Sequence, residues 1–191
     1  MPYSLPQREV AHAAGKDPLA FRLNWLKDAP RYAAVLKLAA QKAGWGKPLP
    51  DGHAHGIALH ESFGSIVAQV AEVSLEQGQI RVHRVVCAID CGTVVNPDTV
   101  AQQVESSVVY GLSAALFGQI DIVGGVVQQS NFPSYPMVTL SQAPLVETHI
   151  VPSTRHPAGV GEPAVPPLAP AVGNALFALT GKRLRALPLK V

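Results

Sequence analysis

Apolar residues along the chain follow two different spacings, and the change between them divides it. In "DPLAFRLNWL", Leu19, Leu23 and Leu26 fall on one helical face, with Asp17 placed to cap and Pro18 in the first turn. "RYAAVLKLAAQKAGWG" repeats that spacing through Tyr32, Val35, Leu36 and Ala39 and stops at Gly44. Together they predict a helical hairpin segment over residues 1–47, and "KPLPDGHAHG" continues as a proline and glycine linker, with the boundary region at 48–55. From Gly56 onward the β-branched runs "SIVAQVAEVSL" and "IRVHRVVCAID", separated by "EQGQ", predict a hairpin of strands.

Helical spacing then returns. "NPDTVAQQVESSVVYGLSAALFG" starts on an Asn96 cap and Pro97 and carries Val100, Val104, Val108, Leu112 and Leu116 at four-residue intervals. "GQIDIVGGVVQQ" predicts a short hairpin turning at Gly124 and Gly125, and "APLVETHIV" another strand. A last helix runs from about Leu168 to Thr180 with Leu168, Val172, Leu176 and Leu179 inward, Gly181 at its exit, and Lys182 and Arg183 beside its negative end. Strands and helices alternate without a regular βαβ beat. The expected class is α+β: a two-layer mixed sheet with helices over 56–191, preceded by the helical hairpin.

Composition narrows the function classes. A chain of 191 residues, 48% hydrophobic, buries a real core. With 15% charged residues and a net charge of +2 it offers no basic face for nucleic acid. No apolar run reaches the roughly 18 residues of a membrane-spanning helix, and the N-terminus lacks the pattern of a secretory signal, so a soluble chain is expected, cytoplasmic or periplasmic. Cys87 and Cys91 are spaced CxxxC, which suits a buried strand thiol and an unpaired thiol at its end better than a redox pair.

Candidate chemistry is sparse. His53, His55, His60 and Glu61 in "GHAHGIALHES" read as solvated linker residues, since a histidine pair in a glycine-rich stretch lacks the fixed geometry a metal needs, and HExxH is absent. No phosphate loop or GxSxG occurs. Within the long helix, Gln102 and Gln103 are followed by Ser106, Ser107, Gly111 and Ser113, and Gln103 shares a side with Ser107; small residues leave this face open to another backbone or a ligand. Glu162 is the lone acid in "RHPAGVGEPAVPPLAPAV". Two readings stay open for it: a loop carboxylate capping the final helix, or a partly buried carboxylate of raised pKa acting as a general base.

"CAIDCGTVVNPDTVAQQVESSVVYGLSAAL", "QQSNFPSYPMVTLSQAPLVETHIVPS" and "GVGEPAVPPLAPAVGNALFALTGKRLRALPL", with "AHAAGKDPLAFRLNWLK" before them, together resemble the molybdenum hydroxylases. That family includes xanthine dehydrogenase and aldehyde oxidoreductase, and the nearest likeness is to the large subunit of isoquinoline 1-oxidoreductase-like enzymes. The resemblance implies that Glu162 of "GVGEP" is the catalytic base beside molybdenum in the oxidation of an aldehyde or N-heterocycle with water-derived oxygen. It implies that Gln103 hydrogen-bonds a molybdopterin, in its cytosine dinucleotide form, with Gln102, Ser106, Ser107 and Gly161 around it and no direct protein ligand to the metal. Its implied partners are the upstream remainder of the large subunit and a small subunit with [2Fe-2S] clusters.

Two features depart from the pattern. Ser106-Ser107 stand where a Gly-Gly or Gly-Ala pair is usual. Other cofactor segments of the family, of the GGGFGRR and MGQG kinds, have no counterpart, so the chain resembles a C-terminal portion, expected to be inactive alone. The alternative expectation is a non-catalytic binding or assembly module that keeps the fold.

Overall fold

The computed structural model describes residues 5–191. Helices α1 (Leu5–Ala13), α2 (Pro18–Trp25) and α3 (Pro30–Ala43) open the chain. Asp17 caps α2 by accepting the Ala20 N–H at 2.8 Å, and its other oxygen accepts the Trp45 indole N–H at 3.0 Å, tying the start of α2 to the end of α3. Gly44 closes α3 in the left-handed conformation that suits glycine (φ +70°).

Strands β1 (His53–Ser62), β2 (Ser65–Glu76) and β3 (Gln79–Asp90) form an antiparallel meander, and β6 (Leu145–Ile150) adds to β3 in parallel, giving the order β1-β2-β3-β6. The parallel step needs a crossover. It is made by α4 (Pro97–Leu116) and a small ribbon of β4 (Ile122–Val123) and β5 (Val126–Val127). Helix α5 (Leu168–Thr180) follows. Among the described residues no helix is long and apolar enough to cross a membrane.

The α+β class and mixed sheet are as the sequence predicts, but the layering goes beyond two. Val67, Ala71, Cys87 and Ile89 pack under α4 and α5, while Ile66, Ala68, Val70, Val86 and Ala88 pack under α3. Burial on both faces explains why β2 and β3 read as near-continuous apolar runs rather than alternating ones. Both cysteines are free and buried, and burial raises the Cys87 thiol to about 12. In the native state Cys87 should therefore resist thiol-specific reagents and react only on unfolding, which a timed labelling assay with and without denaturant measures.

Strand β1 begins at His53, inside the stretch expected to be a linker. Gly56 is there because α5 crosses it: a Cβ would meet the Ala171 carbonyl at 2.0 Å and the Ala175 nitrogen at 2.3 Å. Gly56→Ala should destabilise the chain by about 3 kcal/mol or more, read by urea unfolding.

His53 and His55 of β1 are accordingly packed rather than solvated. His53 Nδ1 lies 2.8 Å from Glu72 and stacks on His83, and His55 stacks on Trp45. Among the described residues no group of three or more His, Cys, Asp or Glu could hold a metal ion. Burial lowers His55 and His83, outweighing the pull of Glu72. Folding thus disfavours their protonation: stability is full above the ordinary histidine value and falls as pH drops below it. Thermal unfolding should show a lower midpoint at pH 5.5 than at 7.5, with the drop narrowed by His55→Gln.

Candidate active site

Residues 155–168 run across one end of the sheet as a strap whose backbone is fixed at nearly every turn. The Thr93 N–H and hydroxyl both donate to Arg155 O (2.9 and 2.8 Å), and Ala158 N–H donates to Cys91 O (2.9 Å). Gly159 N–H donates to Phe63 O at 3.0 Å, while Ser65 Oγ donates to Gly159 O at 2.6 Å. Further on, Ser107 Oγ donates to Gly161 O (3.0 Å), and the fully buried Gln69 amide donates to Ala164 O (2.7 Å). Of these strap acceptors Ala164 is buried, and its carbonyl would cost stability without the Gln69 partner.

Glycines admit the strap to its seat. Gly92 has φ +76°, and a Cβ on it would stand 2.1 Å from His156 O. A Cβ on Gly159 would meet Phe63 Cβ at 2.7 Å. Gly161 differs: its φ is not positive and nothing lies within 4 Å of where its Cβ would be. Neither its backbone nor its packing in this chain requires glycine, so its lack of a side chain keeps space clear beside Glu162.

Helix α4 presents the other side. Asn96 caps it by accepting from Asp98 and Thr99 N–H, and Val100, Val104, Val108 and Leu112 anchor it on the sheet. Ser107 is buried and bonded to the strap; Gly111, one turn on, lets Val165 O approach to within 3.2 Å of a would-be Cβ. Gln103 is half-buried one turn before Ser107, on the side of α4 that carries Ser107. Gln102 and Ser106 are exposed.

Glu162 is exposed. It does not cap α5, whose N-cap position is Pro167 with no side-chain cap, and it is not partly buried within this chain. Its backbone is nonetheless held, with Val165 N–H donating to Glu162 O at 3.0 Å. The result is a carboxylate on a fixed backbone, facing open space.

Behind the strap sits a polar anchor that sequence reading missed. Asp90, nearly fully buried at the end of β3, accepts from Arg31 Nε at 2.7 Å and from the Gly92 N–H at 3.2 Å. Burial works to raise the Asp90 carboxyl, but the Arg31 and Gly92 hydrogen bonds and the Arg31 and Arg155 charges bring it below its ordinary value. Gln69, a polar residue set between the apolar runs Ile66 to Ala68 and Val70 to Ala71, was a legible signal. The Arg31–Asp90 pair spans 59 positions and left no local trace.

The family model described as the molybdopterin cofactor-binding domain matches residues 23–144, which include Gln103 and Ser107 and end before Glu162. The chain is 37% identical to the isoquinoline 1-oxidoreductase subunit beta of Brevundimonas diminuta, over 95% of this chain and 24% of that protein. It is 35% identical to a membrane-bound aldehyde dehydrogenase, named for pyrroloquinoline quinone, of Gluconacetobacter polyoxogenes, over 95% of this chain and 26% of that one. The chain thus spans about a quarter of the length of these curated relatives. The aldehyde oxidoreductase from Desulfovibrio desulfuricans shares the fold, with a TM-score of 0.57 and 23% identity over 65% of this chain and 14% of that one.

Proposed function

The chain belongs to the molybdopterin cofactor-binding domain family, and from that premise we propose that it is the portion of a molybdenum hydroxylase that carries the catalytic base, Glu162. The substrate class is an aldehyde or an N-heterocycle, the chemistry named in its relatives. The observation that carries the reading is the Ser107 Oγ to Gly161 O bond, which joins the Gln103 face of α4 to a carboxylate on a fixed strap.

The residues present fit such a cofactor. Gln103 offers an amide that both donates and accepts, Ser106 an exposed hydroxyl, and Gly161 clear space for close approach. Ser107, the departure from the usual small pair, is used to hold the strap. When bound, molybdopterin supplies the two-electron redox centre at which water-derived oxygen reaches the substrate carbon. Gln103 would hold and orient that group through its amide, and Glu162 would accept a proton at its carboxylate. The pinned backbone limits how far the carboxylate can move, which would reduce the reorganisation that accompanies the transfer.

Two electrons withdrawn from the substrate need an exit, which we assign to [2Fe-2S] clusters on a small partner subunit. The cofactor is assigned as the cytosine dinucleotide form, and the remaining walls of the pocket to the rest of the large subunit. Separating the two roles tests the reading. In the assembled enzyme Gln103→Leu should lower molybdenum content per complex, measured by elemental analysis, whereas Glu162→Gln should leave it at the wild-type level. Loss of molybdenum in the Glu162 variant, or its full retention in the Gln103 variant, would contradict the assignment.

A further inference from the structure

Strands β1 and β2 join through Phe63 and Gly64, and β2 and β3 through Gln77 and Gly78. Both turns have two central residues of positive φ, 53° and 78° in the first and 52° and 80° in the second, the pattern that ordinarily selects Asn-Gly or Asp-Gly. Polar Gln77 departs modestly from that rule. Phe63 departs from it strongly, since a bulky aromatic residue in the left-handed region is an outlier that the turn itself does not ask for. Nor does the ring repay this by packing, because Phe63 is 64% exposed. A lone exposed apolar residue needs no explanation; one held in a disfavoured backbone conformation does, and such strain gathers at active sites.

What lies against the two turns differs. The Gln77 turn stands at the start of β3, whereas the strap crosses at the other end of that strand, beside Asp90. Phe63 meets the strap directly: its carbonyl accepts the Gly159 N–H at 3.0 Å, and a Cβ on Gly159 would stand 2.7 Å from Phe63 Cβ and 3.5 Å from Cγ. Gly159 has no positive φ, so its missing side chain is explained by the room it leaves for Phe63. Any residue at 63 offers the same carbonyl. The hydrogen bond therefore accounts for the place of the turn and not for its ring. Glu162 follows Gly159 by three residues, within about 11 Å of chain, across the open space at Gly161.

We infer that Phe63 is a specificity-determining residue, whose ring forms one wall of the substrate pocket at Glu162 and selects planar aromatic substrates over small aliphatic ones. The inference rests on the proposed function and narrows its substrate class. Aromatic rings pair in offset or edge-to-face contact, which a flat N-heterocycle or an aromatic aldehyde makes and a small aliphatic aldehyde does not. The short turn also fixes the backbone from which the ring projects, so less freedom is lost when a substrate lies against it.

The test compares kcat/KM for isoquinoline with kcat/KM for acetaldehyde in the assembled enzyme. Phe63→Asn gives the turn a residue it favours, so it should raise the unfolding midpoint of the chain by about 2–4 °C and yet lower the isoquinoline-to-acetaldehyde ratio at least about tenfold. Phe63→Tyr, which keeps a ring, should keep the wild-type preference. Gln77→Asn makes the same change at the far turn and should leave the ratio alone. A merely structural Phe63 would move both substrates together. An unchanged ratio in Phe63→Asn, an equal loss for both substrates, or a shift caused by Gln77→Asn would overturn the inference. If a molybdenum-loaded wild-type complex turns over neither substrate, the proposed function fails, and calorimetric titration of that complex with isoquinoline decides the inference by itself. A Kd weakened about tenfold by Phe63→Asn would then uphold it, and an equal Kd or no binding would overturn it.

Discussion

In the assembled enzyme, Glu162→Gln should lower turnover by about 10²–10⁴-fold, the range general base catalysis supplies. The substitution keeps the size and planarity of the side chain and removes only its capacity to accept a proton. Because Glu162 is exposed and the carbonyls of its strap accept hydrogen bonds from the Thr93, Ser65, Ser107 and Gln69 side chains, the fold should be indifferent to the change. Steady-state kinetics per molybdenum, with an aldehyde and with an N-heterocycle, read the effect. The loss should fall on kcat for both substrates, since the proton transfer is common to them. A variant that turns over at the wild-type rate removes Glu162 from the mechanism.

A comparable loss is expected from Gly92→Val, which touches neither carboxylate nor cofactor. Gly92 has a left-handed φ of +76°, disfavoured for a β-branched residue, and a Cβ would stand 2.1 Å from His156 O. The turn cannot stay in place with a valine there. It must release the strap start, where Arg155 and Ala158 are bonded to Thr93 and Cys91, and with it the fixed distance to Glu162. A 1 Å misplacement of a reacting group can cost about 10²-fold in rate. Hydrogen exchange should rise across 155–162 in this variant more than across β2 and β3. Equal protection of the strap in variant and wild type would show that Gly92 does not position it.

How much of this was legible beforehand depends on how far apart the partners lie. Helix α4 was readable to its cap, because Asn96, Pro97 and the Val100 to Leu112 repeat are local signals. The ribbon at Gly124-Gly125 and the helix ending at Gly181 were readable for the same reason. Strand β1 was not: "HAHGIAL" has the glycine and polar residues of a loop, and its glycine serves α5, more than a hundred positions away. The cover of α3 on the second face was likewise hidden, although the unbroken apolar runs of β2 and β3 already demanded burial on both sides.

The site divides in the same way. Glu162 and Gln103 stood out as polar residues among small ones. Their environment did not, since Ser65, Gln69, Asp90 and Arg31 reach the strap region only through the folded sheet. Glu162 shows where one chain's reading stops: its carboxylate is exposed, and the pocket proposed for it needs further polypeptide against the strap.

The most direct test is therefore the molybdenum content of this chain purified alone and together with the remaining large-subunit polypeptide. The account predicts metal in the complex in proportion to protein and none with the chain alone. A complex that assembles without molybdenum would contradict it, and would leave a cofactor-binding fold without its chemistry.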